Sequence, residues 1–220
     1  MKTVKFDDNT LAILKNFSSI NQSLLFKPGS FLATISPTKT IMARANVDLG
    51  LDSTFAIYDM SKFLSAMSLF TAPELIVNDK FLTMQSDGRK LNYTFADPSL
   101  IVSPPDKEIK LPSVDVEFEL KNEVLSTVLK ASGVLALPEI SVLGEDGVIS
   151  ICATDSKNPS GDVYSIEVGN TENAFRAIFK TENLKMIPGD YDVKISSKGI
   201  SCFTGRDVEY FVAVESNSSF

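Results

Sequence analysis

The sequence has no histidine, only two cysteines and no apolar run long enough to cross a bilayer. Without histidine it lacks the commonest general base and the commonest transition-metal ligand. Cys152 and Cys202 are too few for a disulfide framework or a zinc site, so we expect two reduced thiols in the core. Residues 1–8 also lack the apolar segment of a signal peptide. These absences predict a soluble cytosolic protein without metal.

Catalytic motifs are also scarce. No phosphate loop of the G-x-x-x-x-G-K-[ST] kind and no G-x-G-x-x-G occurs, so we expect no nucleotide cofactor. A carboxylate pair could still bind Mg²⁺, and Asp7-Asp8 and Asp190-Tyr191-Asp192 are the candidates. The first pair precedes a predicted helix and the second spans a turn into a strand, which favours structural roles. We therefore predict that the chain is not an enzyme and uses no cofactor.

The net charge of −7 is unevenly distributed. Residues 1–100 carry ten Lys and Arg against nine Asp and Glu, whereas residues 114–220 carry nine against seventeen. An acidic total argues against tight wrapping of nucleic acid, which requires a dense basic patch. It is compatible with a protein whose few cations all face one way.

A proline-rich segment divides the chain. Four of the ten prolines fall between Asp97 and Pro112, and proline favours extended chain that cannot donate to a strand ladder. The sequence therefore predicts a first domain over residues 1–100, an interdomain connector over 101–113 and a second domain over 114–220.

The two flanks share one order of elements: a strand, an amphipathic helix, further strands, a second helix and three closing strands. The first helices contain Leu11–Ile20 and Val124–Lys130, and the second helices are predicted at Ser61–Phe70 and Glu182–Met186. Strands are predicted at Val4–Phe6, Leu24–Phe26, Phe31–Ile35, Thr40–Val47, Thr54–Tyr58, Glu74–Val77, Phe81–Met84, Lys90–Phe95, Val114–Leu120, Ile140–Leu143, Val148–Ala153, Asp162–Val168, Ala174–Phe179, Tyr191–Ile195, Ile200–Phe203 and Val208–Val214.

This order recurs after roughly 115–120 residues, which indicates two copies of a whole domain. The predicted fold class is α+β, with two similar domains, each an antiparallel sheet with two helices on one face. A single irregular α+β domain is the alternative.

Three stretches carry a resemblance to the sliding clamps of T-even-type bacteriophages. Phe55–Leu69 resembles the segment in which a strand of the first clamp domain runs into its second helix. Leu184–Tyr191 resembles the matching helix-to-strand turn of the second domain, and Tyr210–Glu215 resembles the closing strand. The general resemblance extends over essentially the whole chain.

The resemblance implies the DNA clamp fold and a homotrimer that forms a ring. Each subunit contacts the next head to tail through two different surfaces, and the rotation from one subunit to the next closes the ring. Such a ring encircles duplex DNA without sequence preference and tethers the phage DNA polymerase. A clamp-loader ATPase complex and late-transcription factors are further implied partners. No membrane partner is expected, and the expected location is the host cytoplasm.

Two surfaces follow from the resemblance. Inside a ring, flexible lysine point charges suit weak and mobile phosphate contacts. The DNA-facing candidates on the predicted helices are Lys15, Lys62, Lys121, Lys130 and Lys185. Beneath the connector, a hydrophobic partner tail is expected to bind at Ile109, Leu111 and Pro112, with Val212 and Val214 as floor residues.

Subunit contacts are expected at exposed strand edges, whose residues the sequence alone does not identify. The alternative function is a ring-forming phage structural protein of the tail or baseplate, since such proteins also duplicate β-rich domains. The lysine-bearing, acid-poor helix faces favour the clamp.

Overall fold

The chain folds into two compact units, Met1–Asp106 and Lys107–Phe220, in a computed structural model that describes residues 2–105, 107 and 109–220. The division lies inside the range 101–113 expected for the connector. The bounds 1–100 and 114–220 stay predictions.

The first unit has two α-helices and eight strands in its described part. They are β1 Lys2–Val4, α1 Asp8–Ile20, β2 Leu24–Phe26, β3 Phe31–Ile35, β4 Ile41–Asn46, β5 Phe55–Ile57, α2 Met60–Met67, β6 Glu74–Val77, β7 Phe81–Ser86 and β8 Arg89–Thr94. Four strands form an antiparallel sheet in the order β1-β6-β7-β8, while β2 pairs with β5 and β3 with β4. A short 3-10 turn, Pro98–Leu100, follows β8.

The core of this unit is built on one apolar stripe of each helix. Ile13, Leu14 and Phe17 of α1 are buried, as are Phe63 and Met67 of α2. These spacings place the apolar side chains on one side of a helix. Stacked rings extend the core through β2 and β5, in the pairs Phe6–Phe26, Phe26–Phe55 and Phe55–Phe95.

The second unit has one α-helix and eight strands in its described part. They are β9 Val116–Leu120, α3 Asn122–Leu135, β10 Glu139–Glu145, β11 Val148–Thr154, β12 Tyr164–Asn170, β13 Phe175–Lys180, β14 Tyr191–Ser196, β15 Ile200–Thr204 and β16 Val208–Ala213. One antiparallel sheet has the order β12-β11-β10-β13, and the other strands are ordered β16-β15-β14-β9. Helix α3 packs against β10, β11 and β12.

The second helix expected in this unit is absent. The prediction of a helix over Glu182–Met186 is wrong, because the segment forms only a 3-10 turn, Thr181–Asn183, followed by irregular backbone. Pro188 disfavours helical conformation at the residue before it, and this leaves too few residues after β13 for an α-helix. Over the described residues, the expected pair of α-helices is therefore present in the first unit and not in the second.

Two tyrosines fix the backbone where that helix was expected. The N–H of Ile187 donates to the hydroxyl of Tyr210 at 3.0 Å, and the hydroxyl of Tyr191 donates to the carbonyl of Ile187. Both peptide groups of Ile187 are thus bonded to side chains and not to helix neighbours. Desolvation by burial raises the pKa of both tyrosines, in the case of Tyr210 to about 12.

The outer edge of β13 is covered by the last residues of the chain. The N–H of Glu215 donates to the carbonyl of Ile178 at 2.8 Å. Further along, Arg176 and Ser219 exchange two backbone hydrogen bonds of 2.8 and 2.9 Å, and the N–H of Ile178 donates to the Ser218 hydroxyl at 2.9 Å. The segment 215–219 therefore leaves this edge with few free backbone groups.

Candidate DNA-facing and partner surfaces

Lys15 lies on the polar side of α1. The carboxylate of Asp7 caps this helix by accepting the N–H of Thr10 at 2.7 Å, and this fixes where the helix begins. Phe17 and Ile13 turn inward, so that Lys15 between them is exposed. The local fold thus presents one flexible cation to the outside of the helix.

Lys62 and Lys130 occupy comparable positions on the other two helices. Asp59 caps α2 by accepting the N–H of Lys62 at 2.8 Å, and the side chain of Lys62 is exposed. Lys130 is exposed on α3, opposite the buried Leu125 and Val128. In the described part of the chain, none of the ion pairs involves Lys62, Lys130 or Lys15.

Acidic side chains on the three helices are confined to first turns. Asp8 in α1 and Glu123 in α3 are the acids of these helices, and α2 has none. A carboxylate in the first turn is stabilised by the partial positive charge of the helix N-terminus. The three helices together carry three lysines against two acids, in a chain whose net charge is −7.

Lys121 is differently placed. It precedes α3 as its N-cap residue, and its ammonium group donates to Glu119 and, at 3.3 Å, to Asp190. The hydrogen bond to Glu119, followed by that to Asp190, raises the pKa of Lys121. Two carboxylates around one ammonium leave a local excess of negative charge. Lys121 is therefore a weaker candidate for a phosphate contact than the helix lysines.

Lys185 is exposed, but it lies in irregular backbone after the 3-10 turn and not on a helix. Its expected position on an α-helical face is thus wrong. The reason is the backbone of Ile187, held by Tyr191 and Tyr210, together with Pro188.

The expected partner pocket is only partly open in the chain. Ile109 and Leu111 are half-buried and Pro112 is exposed. Val212 is fully buried in β16, where its carbonyl accepts the Ser201 hydroxyl at 2.9 Å. Val214 is 9% exposed. The connector residues thus offer apolar surface, whereas the two valines would need a movement of their surroundings to touch a peptide.

The two carboxylate pairs that could hold Mg²⁺ have structural contacts. Asp7 caps α1, and hydrogen bonds from Thr10 lower its pKa. Asp190 accepts the N–H of Asn122 at 2.8 Å at the start of α3, and this bond, followed by the one from Lys121, lowers the pKa of Asp190. Over residues 2–105, 107 and 109–220, no cluster of three or more Cys, Asp or Glu side chains is arranged to hold a metal ion.

Two strand edges are further candidates that the sequence did not identify. Strand β8 ends the sheet of the first unit and pairs, in the part of the chain described, with β7 alone; β12 likewise pairs with β11 alone. They are six and seven residues long. Strands β1, β3 and β9, which are also outermost, have three to five residues, and the six-residue β13 is covered by residues 215–219. Their alternating patterns are visible in the sequence, but an open edge is a property of the assembled sheet.

Comparison with protein families covers both units. The family described as DNA polymerase processivity factor matches residues 5–103, and the family described as gp45 sliding clamp, C terminal, matches residues 117–216. The sliding clamp of Vibrio phage KVP40 is 35% identical over 219 residues, which cover 96% of this chain and 99% of that one. The chain belongs to the sliding-clamp family.

Other phage clamps are similar over the same length. The sliding clamps of Escherichia phage RB69 and Enterobacteria phage T4 are each 32% identical, with 98% of this chain and 99% of theirs covered. The expected likeness to clamps of T-even-type phages is thus confirmed. The clamp is a processivity factor of phage DNA polymerase, and the alternative of a tail or baseplate protein is not supported.

Solved clamps share the fold. PCNA of A. fulgidus, in a structure with the C-terminal region of FEN-1, gives a TM-score of 0.72 at 13% identity, with 97% of each chain covered. A Helicobacter pylori beta clamp bound to a DNA ligase peptide gives 0.69 at 14% identity, with 99% of this chain and 67% of that chain covered. The two-domain α+β clamp fold is confirmed. The role of the family, which is to act as a processivity factor, is not a catalytic one.

Proposed function

We propose that the clamp forms a closed head-to-tail homotrimer that encircles duplex DNA in the host cytoplasm and tethers the phage DNA polymerase to it. The proposal rests on the exposed faces of α1, α2 and α3, where Lys15, Lys62 and Lys130 project and acids occur in first turns alone. Such faces attract phosphates weakly at any sequence, which permits sliding. The acidic remainder of the chain repels DNA from other surfaces.

Self-assembly is supported by the two open edges. A head-to-tail contact needs two different surfaces that fit each other, and the chain offers one long open edge in each unit. Pairing of β8 with β12 of the next copy would satisfy the free backbone groups of both strands. Closure after three copies follows from the family resemblance.

The first test is the solution mass by light scattering at micromolar concentration. One chain has a mass of 24.0 kDa, so a trimer has three times that mass, 72 kDa. A value near 72 kDa, falling on dilution, is expected. A clean monomer at high concentration would contradict the ring, and a hexamer or larger assembly would contradict the trimer.

The second test reverses the charges of Lys15, Lys62 and Lys130 together to glutamate. We expect the half-life of the loaded ring on closed circular DNA to fall about tenfold, because each lost phosphate contact lowers the salt-dependent affinity. The matched control reverses three exposed lysines outside the helices, Lys39, Lys80 and Lys157, and should keep the wild-type half-life. Unchanged retention in the helix variant, with its trimer mass intact, would remove these lysines from the DNA-facing surface.

Polymerase tethering is assigned to the apolar connector residues. A hydrophobic tail of the polymerase would bind beside Ile109 and Leu111, which are half-buried in the free chain. Replacing both with aspartate should abolish polymerase stimulation in primer extension and leave the trimer mass unchanged. Full stimulation by this variant would place the tail elsewhere. The clamp loader and late-transcription factors are proposed as further partners on the family resemblance.

A further inference from the structure

The guanidinium group of Arg176, in β13, has no partner among the residues that the structure describes. The side chain is half-buried, and its Nε atom is buried without a hydrogen bond. Between described residues, the ion pairs involve Lys121 and Lys194 and not Arg176. Burial of a charged group costs free energy unless the group is paired. Arg176 is therefore suited to receive an anion from outside the chain.

Arg176 lines an open cavity of about 500 Å³ in the second unit. Apolar side chains from several parts of this unit also line the cavity: Leu143 of β10, Val163 just before β12, Phe175 of β13 and the terminal Phe220. The cavity therefore combines one unpaired cation with apolar surface. A ligand that satisfies both features is an anion attached to an apolar group.

An aromatic ring of the chain itself already lies at this cavity. The ring of Phe220 stacks on that of Phe175, with 6.5 Å between the ring centroids and an angle of 12° between the ring planes. Favourable aromatic pairs have centroids about 4.5–7 Å apart, so this contact is a loose one. Phe175 is 7% exposed, whereas Phe220 is 45% exposed. Phe175 thus offers a fixed ring face, and Phe220 covers it as a residue that another ring can replace.

Two carboxylates decide which anion suits the cavity. Glu145 and Asp155 also line it, and neither forms an ion pair with Arg176. Asp155 accepts the N–H of Lys157 at 2.9 Å within its own loop. A phosphate group, with nearly two negative charges at pH 7, would be repelled by both acids. A carboxylate carries a single charge and matches the planar fork of the guanidinium group, so the charge balance favours a carboxylate.

We propose that this cavity is a binding site for an aromatic carboxylate, whose ring stacks on Phe175 in place of Phe220 and whose carboxylate pairs with Arg176. The carboxylate supplies the acceptors that the guanidinium group lacks, and the ring covers the face of Phe175. A free aromatic acid and the aromatic carboxyl-terminal residue of a peptide share this chemistry. The residues named for the site all belong to the second unit. The site therefore depends neither on closure of the proposed ring nor on the connector residues.

Binding is tested with N-acetyl-4-fluorophenylalanine as the probe, by fluorine NMR titration of the probe with the full chain. The matched probe is the corresponding amide, which keeps the ring and lacks the negative charge. Hydrogen bonds to a charged group are roughly twice as strong as neutral ones. We therefore expect the acid to bind at least about fivefold more tightly than the amide. Equal affinities of the acid and the amide would overturn the proposal.

Arg176→Met assigns the affinity to this cavity, because methionine keeps the apolar part of the side chain and removes its charge. The variant should bind the acid about tenfold more weakly and the amide as wild type does. Arg206→Met, at an exposed arginine outside the cavity, is the matched control and should bind both probes as wild type does. Since Arg176 has no partner to lose, Arg176→Met should melt at or above the wild-type temperature. Undiminished binding of the acid, or a lower melting temperature, would contradict the role given to Arg176.

Phe220→Ala tests whether the ligand replaces the terminal ring. The affinity for the acid should rise about threefold, because the ring of Phe175 is then free in every molecule. A fall in affinity would overturn the arrangement, since it would mean that the probe needs the ring of Phe220.

Competition experiments identify the source of the ligand. N-acetyl-Ser-Ser-Phe, which has the sequence of residues 218–220, is compared with N-acetylphenylalanine for displacement of the fluorinated probe. Tighter binding of the tripeptide supports the site with a peptide terminus as its ligand, and equal binding supports it with a free aromatic acid. Inorganic phosphate that displaces the probe as effectively as N-acetylphenylalanine would overturn the choice of an aromatic carboxylate.

Discussion

The hydroxyl of Tyr210 allows a direct test of why the second helix of the second unit does not form. Tyr210 is completely buried, and its hydroxyl accepts the N–H of Ile187 at 3.0 Å. Tyr210→Phe removes that oxygen and keeps the ring, so it creates no large cavity. The variant therefore removes the hydrogen bond to the backbone of Ile187 together with the hydrogen bond between the Tyr210 and Tyr191 side chains.

The expected loss of stability is the cost of leaving the N–H of Ile187 without the hydroxyl that accepts it. A buried donor without a partner costs about 1–3 kcal/mol. Ile187 itself is half-buried, so water can reach part of the site and the lower half of that range applies, about 1–2 kcal/mol. For a chain of this length, 1 kcal/mol corresponds to a change of about 2–4 °C in melting temperature. We expect Tyr210→Phe to melt about 2–8 °C below wild type.

The same residue predicts an alkaline effect. Desolvation raises the pKa of Tyr210 to about 12, against about 10 for an unfolded tyrosine. The folded state thus favours the neutral hydroxyl, and this contribution to stability is complete below about pH 10 and is lost as the pH rises to about 12. The pKa of Tyr191 is raised in the same direction. Stability should therefore fall less steeply between pH 10 and 12 in Tyr210→Phe than in wild type.

The assay is thermal unfolding by circular dichroism at one fixed chain concentration, because assembly makes the melting temperature concentration-dependent. Tyr58→Phe is the matched control, since Tyr58 is 62% exposed and its hydroxyl has no hydrogen-bond partner among the residues that the structure describes. Equal melting temperatures and equal alkaline slopes for Tyr210→Phe and wild type would refute the role given to this hydrogen bond.

Three further changes test local features by thermal or denaturant unfolding. Asp190→Ala removes the oxygen that accepts the N–H of Asn122, so it should lower the melting temperature at pH 7. Because the pKa of Asp190 is lowered, its contribution is present above about pH 4 and is lost as the pH falls further; a deficit that persists in acid would contradict this. Gly144→Ala would set a Cβ 2.4 Å from the Phe175 ring and should cost about 2 kcal/mol. Gly133→Ala, with open space around its Cβ in α3, should instead stabilise by about 0.5–1 kcal/mol, and a loss would show that the helix is constrained there.

The positions of strands were predictable where the alternation of apolar and polar residues and the neighbouring turn residues indicate the same bounds. Leu24–Phe26, Phe31–Ile35 and Glu74–Val77 have the bounds expected from the sequence. The helix expected over 182–186 failed because its apolar residues suit a helix locally, whereas Tyr191 and Tyr210, which hold its backbone, come from strands that follow it. Such contacts depend on the tertiary fold and leave no local pattern.

For the candidate lysines, too, local sequence patterns predict exposure but not contacts with residues that are distant in sequence. Lys15, Lys62 and Lys130 lie on exposed helix faces, as amphipathic spacing predicts. Lys121 is engaged by Asp190, which is distant in sequence, so spacing could not indicate its ion pair. Their contact with DNA stays a prediction.

The segment 215–219 has a consequence for the solubility of shortened chains. It bonds to β13, so that in the described part of the second unit β12 is the long strand of this sheet whose outer edge stays open. A chain ending at Val214 would present two open edges on one sheet. Sheets with two open edges can pair edge to edge with further copies without limit. The last residues thus act as a safeguard against fibrous aggregation, and the truncated chain should form insoluble assemblies in which copies add through β13.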